Sequence, residues 1–437
     1  MRAVPIHGTV WRLAGPIILS NISVPLIGAV DTAVVGHMPG AHYIGAVAVG
    51  ATTFSLVFWA FGFLRMGTTG LTAQSFGAGD GDEVRAVLGR GLVLAVVLGI
   101  IVLILQMPIA WLALKMISAG GPVGDLACTY FSIRIWGAPA ALVVYVYLGW
   151  FLGVQDTRAV LILQLVMNGT NVVLDLWFVF GLDLGVAGVA WASLIAEVGA
   201  VAVAVALARR PLARIPGAWR WDLVRRGDRL RRAVLINRDI FIRTLFLICS
   251  FALFTALGAR LGDNVLAVNA VLMHFLHFAA YGLDAFAHAV ATLAGSAVGL
   301  RDRPAFRAAV RTSTGWSLLF SIGFVAVYAM LGGLIIDTIT DIEAVREAAR
   351  TYLPWVVALP LISVWGFQFD GIFLGATRSA DLRNAMAIAS GVYVVAAFTL
   401  PEVFGNHGLW AAMTIYMVMR AITLGMRYGR LEASIGP

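Results

Sequence analysis

Charge is what this chain has least of. Only 12% of its 437 residues are Asp, Glu, Lys or Arg, against 60% hydrophobic, and a water-soluble globule carries roughly 25% charged residues. Mean hydropathy is +0.90, which excludes a soluble fold. Cysteine is nearly absent: Cys128 and Cys249 both fall in apolar stretches and provide neither a disulfide framework nor a zinc-type cysteine pair. No HExxH or GxSxG string occurs, which removes the common metalloprotease and nucleophile-elbow chemistries. Phe76-Gly77-Ala78-Gly79-Asp80-Gly81-Asp82 has the look of a phosphate or calcium loop, but no strand precedes it and it reads as a turn between apolar runs. Two glycosylation-type strings, Asn21-Ile22-Ser23 and Asn168-Gly169-Thr170, lie inside apolar runs and are expected to be unmodified. No cleavable leader is expected either, because the first apolar run continues through Pro25 and Asp31 to full spanning length.

Long hydrophobic runs are what remains. A helix needs about 20 apolar residues to cross the hydrocarbon layer, and the runs divide into twelve spans, near 12–36, 44–76, 87–109, 125–153, 160–181, 186–208, 235–259, 266–299, 310–336, 345–376, 382–402 and 407–427. The expected fold is an all-α polytopic membrane protein. Placing the N-terminus in the cytoplasm puts most Lys and Arg in cytoplasmic segments, as the positive-inside rule requires. The net charge of +8 might point to nucleic acid, but its placement points elsewhere. The most basic stretch, between Arg209 and Arg238, carries Arg225, Arg226, Arg229, Arg231 and Arg232 where inner-leaflet headgroups attract it. It reads as a topology anchor joining a six-span lobe at 1–208, through a linker at 209–234, to a second at 235–437.

The two lobes are related by duplication. A shift of 222 residues lays Gly77 on Gly299, Arg85 on Arg307, Tyr130 on Tyr352 and Phe151-Leu152-Gly153 on Phe373-Leu374-Gly375. Six spans per lobe is an even number, so both lobes begin on the same side, as parallel repeats about a pseudo-two-fold axis along the membrane normal. The same shift carries Asp31 onto Leu253, Asn171 onto Tyr393 and Asp175 onto Ala397. The architecture repeats and these three polar residues do not.

Ionisable side chains within lipid are costly and therefore candidates for function. At 1.5 Å of rise per residue, Asp31, Asp175 and Ser193 lie about 7, 9 and 10 Å below the outer ends of the first, fifth and sixth spans. Asn171 precedes Asp175 by four residues on the same face, as Ser193 precedes Glu197. Two carboxylates, an amide and a hydroxyl at one level form a candidate proton or sodium site. The alternative is polar glue between helices. Pro25, one to two turns below Asp31, marks either a hinge or a static kink. In the eighth span His274, His277, Tyr281, Asp284 and His288 share one face. That face is wet or paired, and an Arg65 to Asp284 ion pair is one candidate partnership. One straight helix does not wrap a metal ion, and no metal is expected there. Asp370 either belongs to a cavity of the second lobe or caps a loop with Arg378.

The strings VDTAVVGH (30–37), LRMGTTGLTAQSFGAGD (64–80), NVVLD (171–175) and FDGIFLGATRSADLRN (369–384) resemble the multidrug and toxic compound extrusion family, more narrowly its DNA-damage-inducible protein F branch. The resemblance implies a pair of six-helix lobes and export of organic, often cationic or amphipathic, compounds against inward movement of protons or sodium. It implies a cation site made by Asp31, Asn171 and Asp175, a supporting hydroxyl at Ser193, and bending at Pro25. Many relatives outside this branch place a Glu in the seventh span. Here that span has no acid beyond Asp239 at its end, which leaves a second coupling site without its residue. The expected function is therefore a proton- or sodium-coupled multidrug antiporter of the bacterial inner membrane. Both termini are expected to be cytoplasmic, with a monomeric chain, no prosthetic group and no nucleic-acid partner. A flippase for lipid-linked precursors, and more remotely an intramembrane enzyme using the eighth-span His and Asp, are the alternatives.

Overall fold

The computed structural model describes residues 6–36, 41–117 and 121–436. In chain order the helices are α1 (Ile6–Gly36), α2 (Ala41–Ala60), α3 (Phe63–Gly77), α4 (Gly81–Ile104), α5 (Gln106–Ile117), α6 (Gly121–Arg134), α7 (Ala138–Gly153), α8 (Thr157–Leu176), α9 (Gly185–Arg214), α10 (Trp221–Arg225), α11 (Gly227–Arg260), α12 (Asp263–Leu300), α13 (Arg303–Ile339), α14 (Glu343–Gly375) and α15 (Ser379–Ala433). Large apolar side chains stand bare on them, among them Ile104, Met107, Met330 and Val403 at 72–77% exposure. Helices that are apolar on their outer faces as well as their inner ones belong in lipid.

Ten segments among the described residues are long and apolar enough to cross a membrane. One of them, Ser379–Ala433, has 55 residues and breaks at Gly405 (φ 55°, ψ −133°). Its two arms are each long enough for one crossing of about 30 Å. Counting the arms separately and adding the 31-residue α1 gives twelve. Two expected single spans are interrupted: the second at Phe61–Gly62 between α2 and α3, and the fourth by a 3₁₀ turn at Ile135–Gly137, where Pro139 starts α7 in the position proline tolerates.

The chain forms two compact units, one of Gly15–Val234 and the other of Leu235–Pro437 with Met1–Ala14. Each has the same internal geometry. In the first, a Cβ added to Gly149 on α7 would lie 2.2 Å from the Arg65 carbonyl oxygen on α3; in the second, a Cβ on Gly371 of α14 would lie 2.2 Å from the Ala287 carbonyl oxygen on α12. Gly149 and Gly371, like Arg65 and Ala287, are 222 residues apart in sequence. Asp80 caps α4 by accepting from Glu83 N at 2.9 Å, and Asp302 caps α13 by accepting from Ala305 N at 2.8 Å. Left-handed backbone recurs at the same offset in the pairs Gly79 and Arg301, Gln155 and Thr377, and Asp183 and Gly405. The duplication thus extends to turn conformations that residue types alone do not share.

The basic stretch between the lobes is folded onto the first of them. Arg85 donates to the carbonyl oxygens of Gly81 (2.9 Å), Leu212 (2.6 Å) and Ile215 (2.8 Å), while Arg90 donates to Leu223 O at 2.7 Å. Glu83 is paired with both Arg90 and Arg229. At the repeat position, Arg307 joins Arg303 on the Glu432 carboxylate. Each lobe therefore anchors the end of its last helix with an arginine, through backbone carbonyls in one and a side chain in the other.

Candidate functional site

Helix α8 inverts the usual arrangement of a soluble helix. Its buried polar residues are Thr157, Asn168, Asn171 and Asp175, while Leu165, Val166, Val173 and Leu176 are exposed. Asn168, Asn171 and Asp175 recur at i, i+3 and i+7, one face of a helix, and Asp175 has no exposed surface. Asn171 Nδ2 donates to Ser193 Oγ on α9 at 3.2 Å, leaving its carbonyl oxygen for another donor or a cation. Asn168 Nδ2 donates to Ser23 Oγ on α1 at 2.9 Å, and Ser23 Oγ in turn donates to Ser20 O. Three helices, α1, α8 and α9, are thereby joined along one polar line.

Just beyond Asp175 the backbone opens into one π turn, Trp177–Gly181, where Leu182 N donates five residues back to Trp177 O. Such a turn re-aims the side chains beside it and is common at functional sites. The side chains of Pro25 and Asp31, on α1, lie outside those described.

Of the sequence-derived candidates, the structure brings Asn171, Ser193 and buried Asp175 to one place. Glu197 is placed otherwise than its spacing from Ser193 suggests. Its Oε1 accepts from Arg134 Nη2 at 2.8 Å, and Arg134 also donates to Tyr130 Oη and lies 4.6 Å from the centre of the Phe54 ring. That carboxylate is thus neutralised by a guanidinium that pairs across 63 residues, beyond any local pattern.

Within the second lobe, the polar residues of α12 and Asp370 of α14 have separate partners. On α12, His288 Nε2 lies 3.1 Å from Asp284 Oδ2, and the His277 ring is tilted by 43° against the Phe251 ring at 6.1 Å between centres. Asp370 caps no loop with Arg378: its Oδ2 accepts from Arg243 on α11 and from Arg420 Nη2 on α15 at 2.7 Å, all three residues being buried. Arg378 donates instead to Ser434 Oγ at 3.0 Å. One carboxylate between two guanidiniums leaves a net positive group, which repels a metal or alkali cation. Arg65, in the other unit, contributes its carbonyl to Thr69 Oγ1 and to the close helix contact at Gly149. Among the described residues no three His, Cys, Asp or Glu converge as metal ligands.

Sequence reasoning missed Asn168 and Ser23, which it treated as parts of glycosylation strings. The usable signal was Asn168 standing three residues before Asn171 on the same face. It also missed the pair Asn269 and Asn406, which exchange hydrogen bonds at 2.8 and 2.9 Å, with Trp410 Nε1 donating to Asn269 Oδ1 at 2.9 Å. This knot ties α12 to the broken region of α15 beside Gly405.

Comparisons with known proteins agree with this geometry. The MatE family model matches residues 16–177 and 240–399, one block in each lobe. The chain is 43% identical over 431 residues to the DNA damage-inducible protein F of Escherichia coli, covering 96% of this chain and 91% of that one. It is 24% identical to a probable multidrug resistance protein NorM of Caulobacter vibrioides, covering 96% and 91%. Among solved structures, the outward-facing conformation of a multidrug resistance MATE family transporter superposes with a TM-score of 0.87 at 19% identity, covering 99% of this chain and 98% of that one. A MOP superfamily transporter from Pyrococcus furiosus gives 0.88 at 18% identity, covering 98% and 97%. Two duplicated helical lobes and a family match in both halves lead to one assignment: the chain belongs to the MatE family of multidrug efflux transporters.

Proposed function

We propose that this transporter is a secondary antiporter that exports organic cations and amphipathic compounds in exchange for protons. The observation that carries the reading is the fully buried Asp175, one turn from the Asn171 to Ser193 hydrogen bond. A carboxylate out of water is costly to keep ionised unless a proton or another cation compensates it, so its charge state is linked to what occupies the site. In the proposed cycle, Asp175 and Asp31 lose a proton as substrate binds. Protonation from outside then favours bending of α1 at Pro25 and expels the substrate. A ligand shifts such an equilibrium only by its differential affinity for the two states, and the proton supplies that difference here. The Asn168 to Ser23 bond supports a link between α8 and α1. The same reading puts the protein in the bacterial inner membrane as a monomer with both termini cytoplasmic.

The test is dye efflux from proteoliposomes under an imposed proton gradient and, separately, an imposed sodium gradient. Efflux should follow the proton gradient and fall to background in Asp175→Asn. Undiminished proton-driven transport by that variant would defeat the assignment, and efflux driven by sodium alone would replace the proton in it.

A further inference from the structure

At one end of the second lobe, where α14 turns into α15, a cavity of about 300 Å³ is lined by Arg378, Asp381, Arg427, Arg430 and Leu431. Three guanidiniums face one carboxylate. Asp381 is already engaged, since Arg427 Nη1 donates to its carbonyl oxygen at 3.0 Å and lies 3.4 Å from Oδ1. Arg378 spends one nitrogen on Ser434 Oγ. The cavity therefore keeps an excess of positive charge and of N–H donors. It draws Arg378 and Asp381 from the start of α15 and Arg427, Arg430 and Leu431 from its end, so the guanidiniums rather than the helix dipole set its charge.

The chemistry of the walls narrows the ligand. All but one of the chain's Lys and Arg residues are Arg, the exception being Lys115, and a planar guanidinium matches the oxygens of a phosphate two at a time. Above the cavity, Ile422 and Met426 stand 47% and 73% exposed, eight and four residues before Arg430 on the same helix face. An apolar track leads from the lipid-facing flank to the arginines, and Leu431 closes the cavity with a further apolar wall. A soluble phosphate has no use for such a track. A phospholipid has, with its acyl chain along Ile422 and Met426 and its headgroup among the arginines. We propose that this cavity is a binding site for an anionic phospholipid headgroup. The site itself is independent of the antiport reading; only its assignment to the cytoplasmic leaflet rests on the orientation proposed above.

The measurement is native mass spectrometry of the full chain released from detergent, incubated with phosphatidylglycerol, with phosphatidylcholine of the same chains, or with phosphatidylglycerol plus excess inorganic phosphate. One phosphatidylglycerol should be retained in preference to phosphatidylcholine, and inorganic phosphate should leave it in place. Its retention should fall roughly tenfold or more in Arg378→Gln/Arg430→Gln, given about 1 kcal/mol per arginine near an anionic surface. Arg158→Gln/Arg311→Gln, which removes two exposed arginines outside both the cavity and the basic stretch, should retain lipid as the unmodified chain does. Thermal unfolding in lipid-free detergent shows that each variant is folded, and the single variant Arg430→Gln substitutes if the double one is not. Equal retention by the double variant, or equal loss in the control, overturns the site. Displacement by inorganic phosphate assigns the arginines to a soluble phosphate ester and overturns the lipid.

Discussion

The fifth span of the first lobe and its duplicate in the second have the same place in the fold and opposite contents. Asn168, Asn171 and Asp175 on α8 correspond to Ser390, Tyr393 and Ala397 on α15, and Ser193 corresponds to Ile415. Where the first lobe buries an acid and an amide, the second packs Tyr393 against Tyr416, with ring centres 5.3 Å apart, in a core with Met413, Met417 and Ala397. At the position matching Asn168, Ser390 Oγ lies 3.2 Å from Ser250 Oγ. The exchange also runs the other way. Gly91, Ala95 and Gly99 of α4 are matched by Ser313, Ser317 and Ser321 of α13, all fully buried. A duplicated scaffold tolerates polar groups at either place, so their location reports what each lobe does rather than what the fold needs.

Six substitutions would break or sharpen this contrast. Asp175→Asn should abolish proton-driven efflux while leaving the protein folded, because an amide fills the same volume without the titratable oxygen. Placing the acid in the other lobe, Ala397→Asp, should leave transport driven by the first lobe and lower unfolding stability by about 3–5 kcal/mol, the cost of an uncompensated buried charge. Thermal unfolding in detergent measures it, and an unchanged midpoint would mean that the second lobe also accommodates an acid there.

The shared scaffold should respond symmetrically. Gly149→Ala and Gly371→Ala each push a methyl into a backbone carbonyl and should each destabilise by about 1–3 kcal/mol; a large effect in one lobe only would show that the close contacts are not equivalent. The anchoring arginines should respond unequally, and the smallest effect belongs to the second lobe. Arg85→Gln orphans two linker carbonyls and should cost about 1.5–3 kcal/mol. Arg307→Gln, whose side chain is 59% exposed on Glu432, should change stability by no more than about 1 kcal/mol.

Much of this fold is legible in the sequence because lipid imposes long apolar runs and a duplication repeats its turns. The cap residues Asp80 and Asp302, the offset of 222 and the common face of Asn171 and Asp175 are all local or periodic signals. What escaped is pairing at a distance. Glu197 finds Arg134 across 63 residues, and Asp370 finds Arg243 across 127 and Arg420 across 50; arginine's reach makes such partners invisible to spacing. The breaks at Phe61–Gly62 and Ile135–Gly137 escaped for another reason: an apolar run has the same composition whether its helix is continuous or interrupted. The folding of residues 212–224 onto α4 depends on backbone carbonyls, which every residue type carries alike.

The Gly149 and Gly371 contacts have one more consequence. With main chain against main chain, the gap between the paired helices at these two points is narrower than a water molecule of roughly 1.4 Å radius. Under the antiport reading proposed above, closure there would help keep a coupling ion from crossing without the exported compound.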